Sequence, residues 1–153
     1  MTITIEGALT KHLNRLCEIE TECFDTETFT KQQIARLLTS YNSVSLIARE
    51  EGNIVGFVIG VIQAEENSLI GHIVTIDVSR SHRRMGLGIR LLQEIERIFK
   101  EKGVETCCLE AREDNRVALN LYQKLGYRKI GKLKNYYGNA HGMFLRKSLA
   151  QSQ

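Results

Sequence analysis

The sequence predicts a single-domain α/β protein in which helices flank a mixed sheet. Its 153 residues are enough for one domain with a sizeable hydrophobic core. Short apolar runs typical of strands alternate along the chain with segments whose apolar residues recur at helical spacing. No linker, repeat or low-complexity stretch interrupts this alternation. We therefore expect one domain over residues 1–153 with the element order β-α-α-β-β-β-α-β-α-β-β.

The first five predicted elements are a strand, two helices and a hairpin. TITIE is a strand candidate near the N-terminus, and residues 8–23 show helical spacing. The hydroxyl of Thr30 can cap a second helix within FTKQQIARLL. VSLIARE and IVGFVIGVIQAE are expected to pair as an antiparallel hairpin around the turn EGN. The inward face of the first helix is predicted to contain Leu9, Leu13, Leu16, Ile19 and Cys23.

The remaining six elements begin with the strand SLIGHIVTIDV. A helix with an apolar stripe starts at Gly88 and ends at Lys102 and Gly103. The next strand, VETCCLEA, is reached through that helix, so we expect it to lie parallel to a neighbour. Asn115 can cap a helix over RVALNLYQKL that Gly126 terminates. The final strands, YRKIGKL and HGMFLRKSL, flank the loop KNYYGNA.

Composition excludes several classes of protein. Hydrophobic residues make up 42% and charged residues 25%, as in ordinary soluble domains, and no apolar run approaches a membrane span. The N-terminus lacks a signal-peptide core, so we expect a cytoplasmic protein without a membrane partner. A net charge of +3 does not suggest nucleic acid. The four cysteines lack zinc-site spacing, so we expect reduced thiols and no metal.

One short stretch, HRRMGLGIR, combines two glycines with a local excess of positive charge. Four arginines and no acid lie between Asp77 and Glu94. The pattern R-x-x-G-x-G, from Arg83 to Gly88, falls where a strand passes into a helix. It fits neither a P-loop nor a dinucleotide fingerprint. Bare backbone and free amides at a helix N-terminus favour phosphate oxygens, although a tight turn with solvated arginines fits these six residues equally well.

The segments that follow this stretch make the pattern more specific. The succession VTIDV, RRMGLG, CCLEAR and NRVALNLYQKLGY resembles the GNAT superfamily of acetyl-CoA-dependent N-acetyltransferases, over about residues 69–147. GHIVTIDVSRSHRRMGLG and LKNYYGNAHGMFL are similar to protein N-terminal acetyltransferases, including the bacterial ribosomal-protein-alanine type. The resemblance implies a mixed, mostly antiparallel sheet with a splayed central parallel pair and flanking helices. It also implies acetyl-CoA as the acetyl donor and a protein or peptide N-terminus as the acceptor.

The resemblance assigns a cofactor role to three parts of the chain. The backbone of the strand before the loop would pair with the pantetheine arm, the loop amides would hold the pyrophosphate, and the following helix would contact the cofactor. Asp77 departs from the family pattern, in which a small apolar residue is commoner. If its side chain points into the acceptor site, it would help to bind a cationic amine. The cofactor residues implied are Ile76, Asp77, Val78, Arg84, Met85, Gly86, Leu87, Gly88, Ile89, Asn115 and Tyr122.

The chemistry of acetyl transfer points to an acid and a base. A cationic amine must lose a proton before it attacks a thioester, and the leaving thiolate must gain one. The resemblance gives the base role to Glu110 and places Tyr122 near the sulfur, with His72 as a second candidate base. The structural alternatives are a strand-end charge for Glu110, a core tyrosine for Tyr122 and an ordinary polar strand residue for His72. The residues expected to bind the acceptor are Phe24, Phe29, His72, Tyr136 and Tyr137.

Two other functions remain open from the sequence. The acceptor of the same reaction could be a lysine side chain or a small-molecule amine. A chain with this fold could also be a non-catalytic acyl-CoA-binding regulatory module, against which the presence of both Glu110 and Tyr122 argues. The sequence does not indicate the oligomeric state.

Overall fold

A computed structural model describes residues 2–24 and 28–150, which form one seven-stranded sheet covered by helices on both faces. The predicted element order is confirmed. No helix within the described residues is long and apolar enough to cross a membrane. The elements are β1 (Ile3–Gly7), α1 (Leu13–Cys23), α2 (Lys31–Thr39), β2 (Ser43–Glu50), β3 (Asn53–Glu65), β4 (Ser68–Val78), α3 (Leu87–Glu101), β5 (Thr106–Arg112), α4 (Arg116–Lys124), β6 (Arg128–Leu133) and β7 (Gly142–Ser148).

The predicted helix caps are confirmed, but the predicted start of the first helix is wrong. Thr30 accepts a hydrogen bond from the amide of Gln33 at 3.1 Å, and Asn115 accepts one from the amide of Ala118 at 3.1 Å. Helix α1 begins at Leu13 rather than at residue 8, because residues 10–12 form a separate 3₁₀ turn. Leu9 therefore lies outside the helix and is 55% exposed.

Two apolar cores lie on opposite faces of the sheet. On one face, α3 packs Leu91, Ile95 and Phe99 against alternate residues of the central strands. On the other face, Leu16 and Ile19 of α1 join Ile34 of α2 over the residues that point the opposite way. These two faces explain why β3 is buried on both sides and is apolar almost throughout.

Two glycines allow α3 to approach the sheet closely. A Cβ added at Gly60 would lie 2.6 Å from the ring of Phe99, and one at Gly71 would lie 2.5 Å from it. Side chains at these positions would therefore displace Phe99, the single aromatic residue of α3. Phe99 is fully buried, so the two glycines fix the height of α3 above β3 and β4.

The strands β4 and β5 form the only parallel pair among the described strands, and they pair only over a short stretch. The sheet order is β1-β2-β3-β4-β5-β7-β6. The parallel pairing runs from Ile70 opposite Thr106 to His72 opposite Cys108 and then stops. Beyond His72, β4 continues to Val78 and β5 continues to Arg112 without pairing to each other. The prediction of a mostly antiparallel sheet with a splayed central parallel pair is confirmed.

A bulge in β4 lies just beyond this point of divergence. Ile73 pairs with Gly60 and Thr75 pairs with Ile59, so Val74 is an extra residue without a partner on β3. The bulge resets the alternation of side chains along the strand. As a result, Thr75 and Asp77 point to the same face as His72, which is the face covered by α1 and α2.

Candidate active site

A cavity of about 600 Å³ lies where β4 and β5 diverge. One wall consists of Ile73 to Ile76 of β4, and another consists of residues 109–112 of β5. The α1 end contributes Phe24, and Phe29 lies just before α2. The cavity is further lined by Glu20, Asn115, Ala118, Tyr122, Tyr136 and Tyr137. Most of the predicted acceptor residues and three of the predicted cofactor residues therefore meet in one cavity.

Glu110 and His72 form a hydrogen-bonded pair at the closed end of the splay. The parallel register places Cys108 opposite His72, so Glu110, two residues further on, lies on the same face. His72 Nε2 lies 2.7 Å from Glu110 Oε1. Their side chains are 25% and 15% exposed, so water and substrate can reach both. The sequence left these two residues as alternative bases, whereas the structure pairs them.

Tyr122 lies on the inner side of α4 and lines the same cavity. Its ring packs edge-on against Tyr127, with the ring centroids 6.0 Å apart. Burial, with a smaller effect from the nearby carboxyl of Asp77, raises the pKa of Tyr122 above its ordinary value. The phenol therefore stays protonated at neutral pH and can donate a hydrogen bond or a proton.

Tyr136 and Tyr137 form the wall of the cavity that comes from the loop between β6 and β7. Their rings meet edge to face at 4.9 Å, and both pack over Gly142 at the start of β7. The guanidinium of Arg112 lies 5.6 Å from the centre of the Tyr137 ring. Burial and the charge of Glu110 raise the pKa of Tyr136. This loop is thus anchored to β5 and lies within electrostatic range of Glu110.

The glycine-rich loop lies beyond the end of β4, outside the residues that line the cavity. Gly86 has φ of +77° and precedes the first turn of α3, whose free amides therefore face outward from this turn. The side chain of Leu87 is buried in the core, and the side chain of Met85 is 52% exposed. The arginine at position 84 also has a positive φ, of 65°. Backbone amides rather than apolar side chains are thus what this loop can offer an anion.

The predicted role of Asp77 in amine binding required its side chain to point into the acceptor cavity. Its side chain is only 2% exposed, and it is not among the described residues that line the cavity. The bulge at Val74 turns it toward α1, where the Thr75 hydroxyl lies 2.8 Å from Asp77 Oδ1. From this position Asp77 reaches the cavity through Thr75 and Glu20, and its role toward the cationic amine stays a prediction.

Two residues of the cavity, one acidic and one a threonine, were not predicted from the sequence. Glu20 and Thr75 line the cavity, although both are almost fully buried within the described residues. Glu20 Oε1 lies 3.2 Å from the Thr75 hydroxyl, and Glu20 Oε2 accepts a hydrogen bond from the Phe29 amide at 3.0 Å. A signal for Glu20 was present, because it follows Leu16 by four residues and so shares the inward face of α1.

The described residues show no group of three His, Cys, Asp or Glu side chains that could hold a metal ion. The cysteines of β5 are buried, and burial raises the pKa of Cys107 to about 12 and of Cys108 to about 11. Neither thiol is therefore activated as a nucleophile at neutral pH.

A sheet that opens between two parallel strands, with a carboxylate and a phenol at the opening, is an arrangement suited to acyl transfer. The family model of the acetyltransferase (GNAT) family matches residues 13–127. The chain is 32% identical over 117 residues to the N-alpha-acetyltransferase of Sulfurisphaera tokodaii, covering 71% of this chain and 70% of that protein. The chain therefore belongs to the GNAT acetyltransferase family, and it is an N-acetyltransferase.

Solved structures share the fold at lower sequence identity. The ribosomal-protein-S18-alanine N-acetyltransferase of Escherichia coli superposes with a TM-score of 0.86 at 21% identity, covering 99% of this chain and 97% of that one. The NAA60 protein of Arabidopsis thaliana, solved in complex with acetyl-CoA, superposes with a TM-score of 0.85 at 18% identity. That alignment covers 96% of this chain and 98% of NAA60.

Proposed function

We propose that this N-acetyltransferase transfers the acetyl group of acetyl-CoA to the α-amino group of a protein N-terminus. The observation that supports it most directly is the Glu110–His72 pair, in contact at 2.7 Å, whose carboxylate lines the cavity at the divergence of β4 and β5. A carboxylate in this position can take the proton of an amine that enters the cavity. The names of relatives at about 30% identity support the same acceptor class.

The cofactor fits the open side of the splayed strands. The unpaired edge of β4 at residues 76–78 offers backbone groups to the amides of a pantetheine arm. Its end leads directly to the loop over residues 84–89 and to the N-terminus of α3, where the pyrophosphate would find free amides. Asn115, which caps α4, and Tyr122 within α4 line the cavity between the splayed strands. When bound, acetyl-CoA supplies the thioester that the amine attacks.

The acceptor enters from the face of the sheet covered by α1 and α2. Phe24 and Phe29 line the cavity there, and Tyr136 and Tyr137 line it from the loop between β6 and β7. These aromatic rings can hold the first residues of a peptide without constraining them to one side chain. The carboxylate of Glu110 lies inside this aromatic frame, where it attracts a cationic amine.

The residues then divide the proton transfers between them. Glu110, fixed by His72, takes the proton that the cationic amine must lose before its nitrogen attacks the thioester carbon. The nitrogen loses a second proton as the carbon–sulfur bond breaks, and this proton can replace the one that Tyr122 gives to the sulfur. Tyr122 keeps its proton at neutral pH because its pKa is raised, so it can donate to the leaving sulfur. No covalent enzyme intermediate is needed, in keeping with the buried and unactivated thiols of β5.

The test compares three short synthetic peptides in an assay of acetyl-CoA consumption and product mass. One has a free α-amino group and no lysine, the second has an acetylated N-terminus and one internal lysine, and the third has neither amine. We expect turnover with the first peptide alone, and the product mass places the acetyl group on the N-terminus. Turnover only with the second would assign the enzyme to lysine side chains. Binding of acetyl-CoA without turnover of any of these peptides would contradict the proposed acceptor and favour a small-molecule amine or a regulatory role.

A further inference from the structure

We propose that Glu20 is the ammonium-binding carboxylate of the acceptor cavity, and that Thr75 and a neutral Asp77 hold it in place through a directed chain of hydrogen bonds. The inference rests on the proposed function, because it concerns how that enzyme recognises its amine. Asp77 and Thr75 are positioning residues here, since they act through Glu20.

The chain of hydrogen bonds follows from counting hydrogens. The Thr75 hydroxyl lies 2.8 Å from Asp77 Oδ1 and 3.2 Å from Glu20 Oε1. A hydroxyl has one hydrogen, so it cannot donate to two ionised carboxylates at once. One carboxyl must therefore carry a proton and donate it to the Thr75 oxygen. The hydroxyl hydrogen is then free for the other carboxylate.

The surroundings identify Asp77 as the protonated member. Glu20 Oε2 accepts a hydrogen bond from the Phe29 amide at 3.0 Å, and Glu20 lines the cavity. Asp77 Oδ2 is buried and has no hydrogen-bond partner among the described residues. An unpartnered oxygen costs far less on a neutral acid than on a carboxylate. The order is therefore Asp77 to Thr75 to Glu20, with each hydrogen used once.

The titratable groups around Asp77 agree with this assignment. Burial, followed by the adjacent Glu20 carboxyl, raises the pKa of Asp77 to about 9. The Thr75 hydroxyl and the guanidinium of Arg83 oppose this effect with smaller contributions, and the register partner on β3 is the apolar Phe57. The titratable and charged groups around Asp77 are Glu20 and Cys23 on α1, Arg83 after β4 and Tyr122 on α4.

This arrangement gives Glu20 a defined task. Two donors, the Thr75 hydroxyl and the Phe29 amide, fix its carboxylate at the cavity wall while leaving its negative charge intact. A cationic amine entering the cavity would then meet Glu20 on the α1 side and Glu110 on the β5 side. Glu20 binds the charged amine, whereas Glu110 removes its proton. Specificity for a cationic amine over a neutral nucleophile would come from this carboxylate.

Substitution of Glu20 and Thr75 tests the binding role. With a short synthetic peptide that has a free α-amino group, E20Q should raise the acceptor KM about ten- to a hundredfold, the usual effect of losing a charge-assisted hydrogen bond. T75V should raise the acceptor KM as well, and T75S should rescue it, because serine keeps the hydroxyl. The affinity for acetyl-CoA, measured by titration, should change little in all three variants and shows that each is folded. An unchanged acceptor KM in E20Q would overturn the proposal.

Substitution of Asp77 tests its neutral state. D77A should raise the acceptor KM, and D77N should rescue it, because an amide N–H can donate to Thr75 as a protonated acid does. In the wild-type enzyme, ionisation of Asp77 above about pH 9 leaves Thr75 between two anions, so the acceptor KM should rise. D77N should lack that rise when the two profiles are measured with the same peptide, whose amine titrates equally in both. A D77N enzyme as impaired as D77A would show that the charge of Asp77 is needed.

A stability measurement tests the same assignment without any acceptor. The pKa of Asp77 is raised from an ordinary value of about 4, so between about pH 4 and 9 the folded protein holds a proton that the unfolded chain has lost. The free energy of unfolding therefore falls as pH rises through this window. D77N removes that loss, so its advantage in Tm over the wild type should widen between about pH 5 and 8. If no peptide is acetylated, the proposed function fails, and a constant Tm difference would separately overturn the neutral Asp77.

Discussion

The hydrogen bond between His72 and Glu110 supports a functional rather than a purely structural interpretation of both residues. Separately, a strand-end glutamate and a strand histidine are both common structural residues. The imidazole lies 2.7 Å from the Glu110 carboxylate and so helps to orient this group, which lines the cavity. A base that is already oriented loses less conformational entropy when the amine arrives.

Glu110→Gln is expected to lower kcat at least about a hundredfold at neutral pH, since loss of a general base costs about 10²–10⁴-fold. The deficit should shrink as the pH rises toward about 9, because a larger fraction of the α-amine is then already deprotonated. The measurement is a pH profile of kcat at saturating acetyl-CoA and peptide. Glu113→Gln, an exposed glutamate that contacts Lys132 at 3.1 Å, is the matched control. Wild-type activity of Glu110→Gln at pH 7 would move the base to His72 or to water.

Tyr122→Phe is expected to lower kcat in a way that high pH does not rescue. The phenol donates to the leaving sulfur, and deprotonating the amine in solution does not replace that donor. The same pH profile measures this effect, with Tyr41→Phe as the control because Tyr41 is fully exposed. A rescue that parallels that of Glu110→Gln would assign both residues to the same proton transfer and contradict the division proposed above.

At the scale of elements, the N-terminus of α3 and the loop before it form one unit. The positive φ of Gly86 turns the chain, and α3 then begins with its apolar side chains facing the sheet. A substitution at Gly86 would disturb the backbone whatever ligand binds. Gly88 has no such requirement, because an added Cβ would lie 3.8 Å from Val78 Cγ2, an ordinary contact. Gly88 is therefore the cleaner position for testing the anion site.

Gly88→Val should weaken acetyl-CoA binding while the protein still folds, because the added side chain obstructs the approach of phosphate to the helix amides. Isothermal titration gives the affinity, and the rise of Tm with acetyl-CoA concentration checks it by mass action. Gly131→Val on β6, where an added Cβ meets nothing within 4 Å, is the matched control. An unchanged affinity in folded Gly88→Val would place the pyrophosphate elsewhere.

The loop between β6 and β7 carries the second element-scale prediction. Tyr137 lines the cavity and is held by Arg112 and by packing over Gly142. Tyr137→Ala should raise the peptide KM while the affinity for acetyl-CoA is nearly unchanged, as expected for a loss of ground-state binding. Steady-state kinetics with each substrate varied in turn separates the two effects, and Tyr41→Ala serves as the exposed control. An equal loss for both ligands would indicate damage to the fold instead.

At the scale of the whole molecule, local patterns were sufficient for the order and type of the elements. The signals that predict them act over a few residues and can be recognised in the sequence. They are the glycine turns, two side-chain caps and the apolar periodicities of β3 and α3. The start of α1 was misjudged because Leu9 continues the helical spacing although residues 10–12 tighten into a 3₁₀ turn.

The residues of the candidate site could be predicted only in part, because some of them depend on contacts between distant elements. The resemblance placed Glu110 and Tyr122 because they lie in contiguous motifs. The direction of Asp77 could not be read, since the bulge at Val74 reverses the alternation of β4 and depends on pairing with β3. Glu20 belongs to a helix far away in sequence, so its contact with Thr75 exists only once α1 has packed on the sheet.

The short pairing of β4 with β5 has a consequence for dynamics. Three residue pairs join one half of the sheet, β1 to β4, to the other half, β5 to β7, so the two halves share few hydrogen bonds along this seam. A cofactor lying along β4 would act as a surrogate strand and stiffen the seam. Amide hydrogen exchange should then slow on adding acetyl-CoA at those β4 amides between residues 73 and 78 that point away from β3, while amides of β1 keep their rates. A uniform slowing over the whole sheet would mean global stabilisation rather than a seam that the ligand closes.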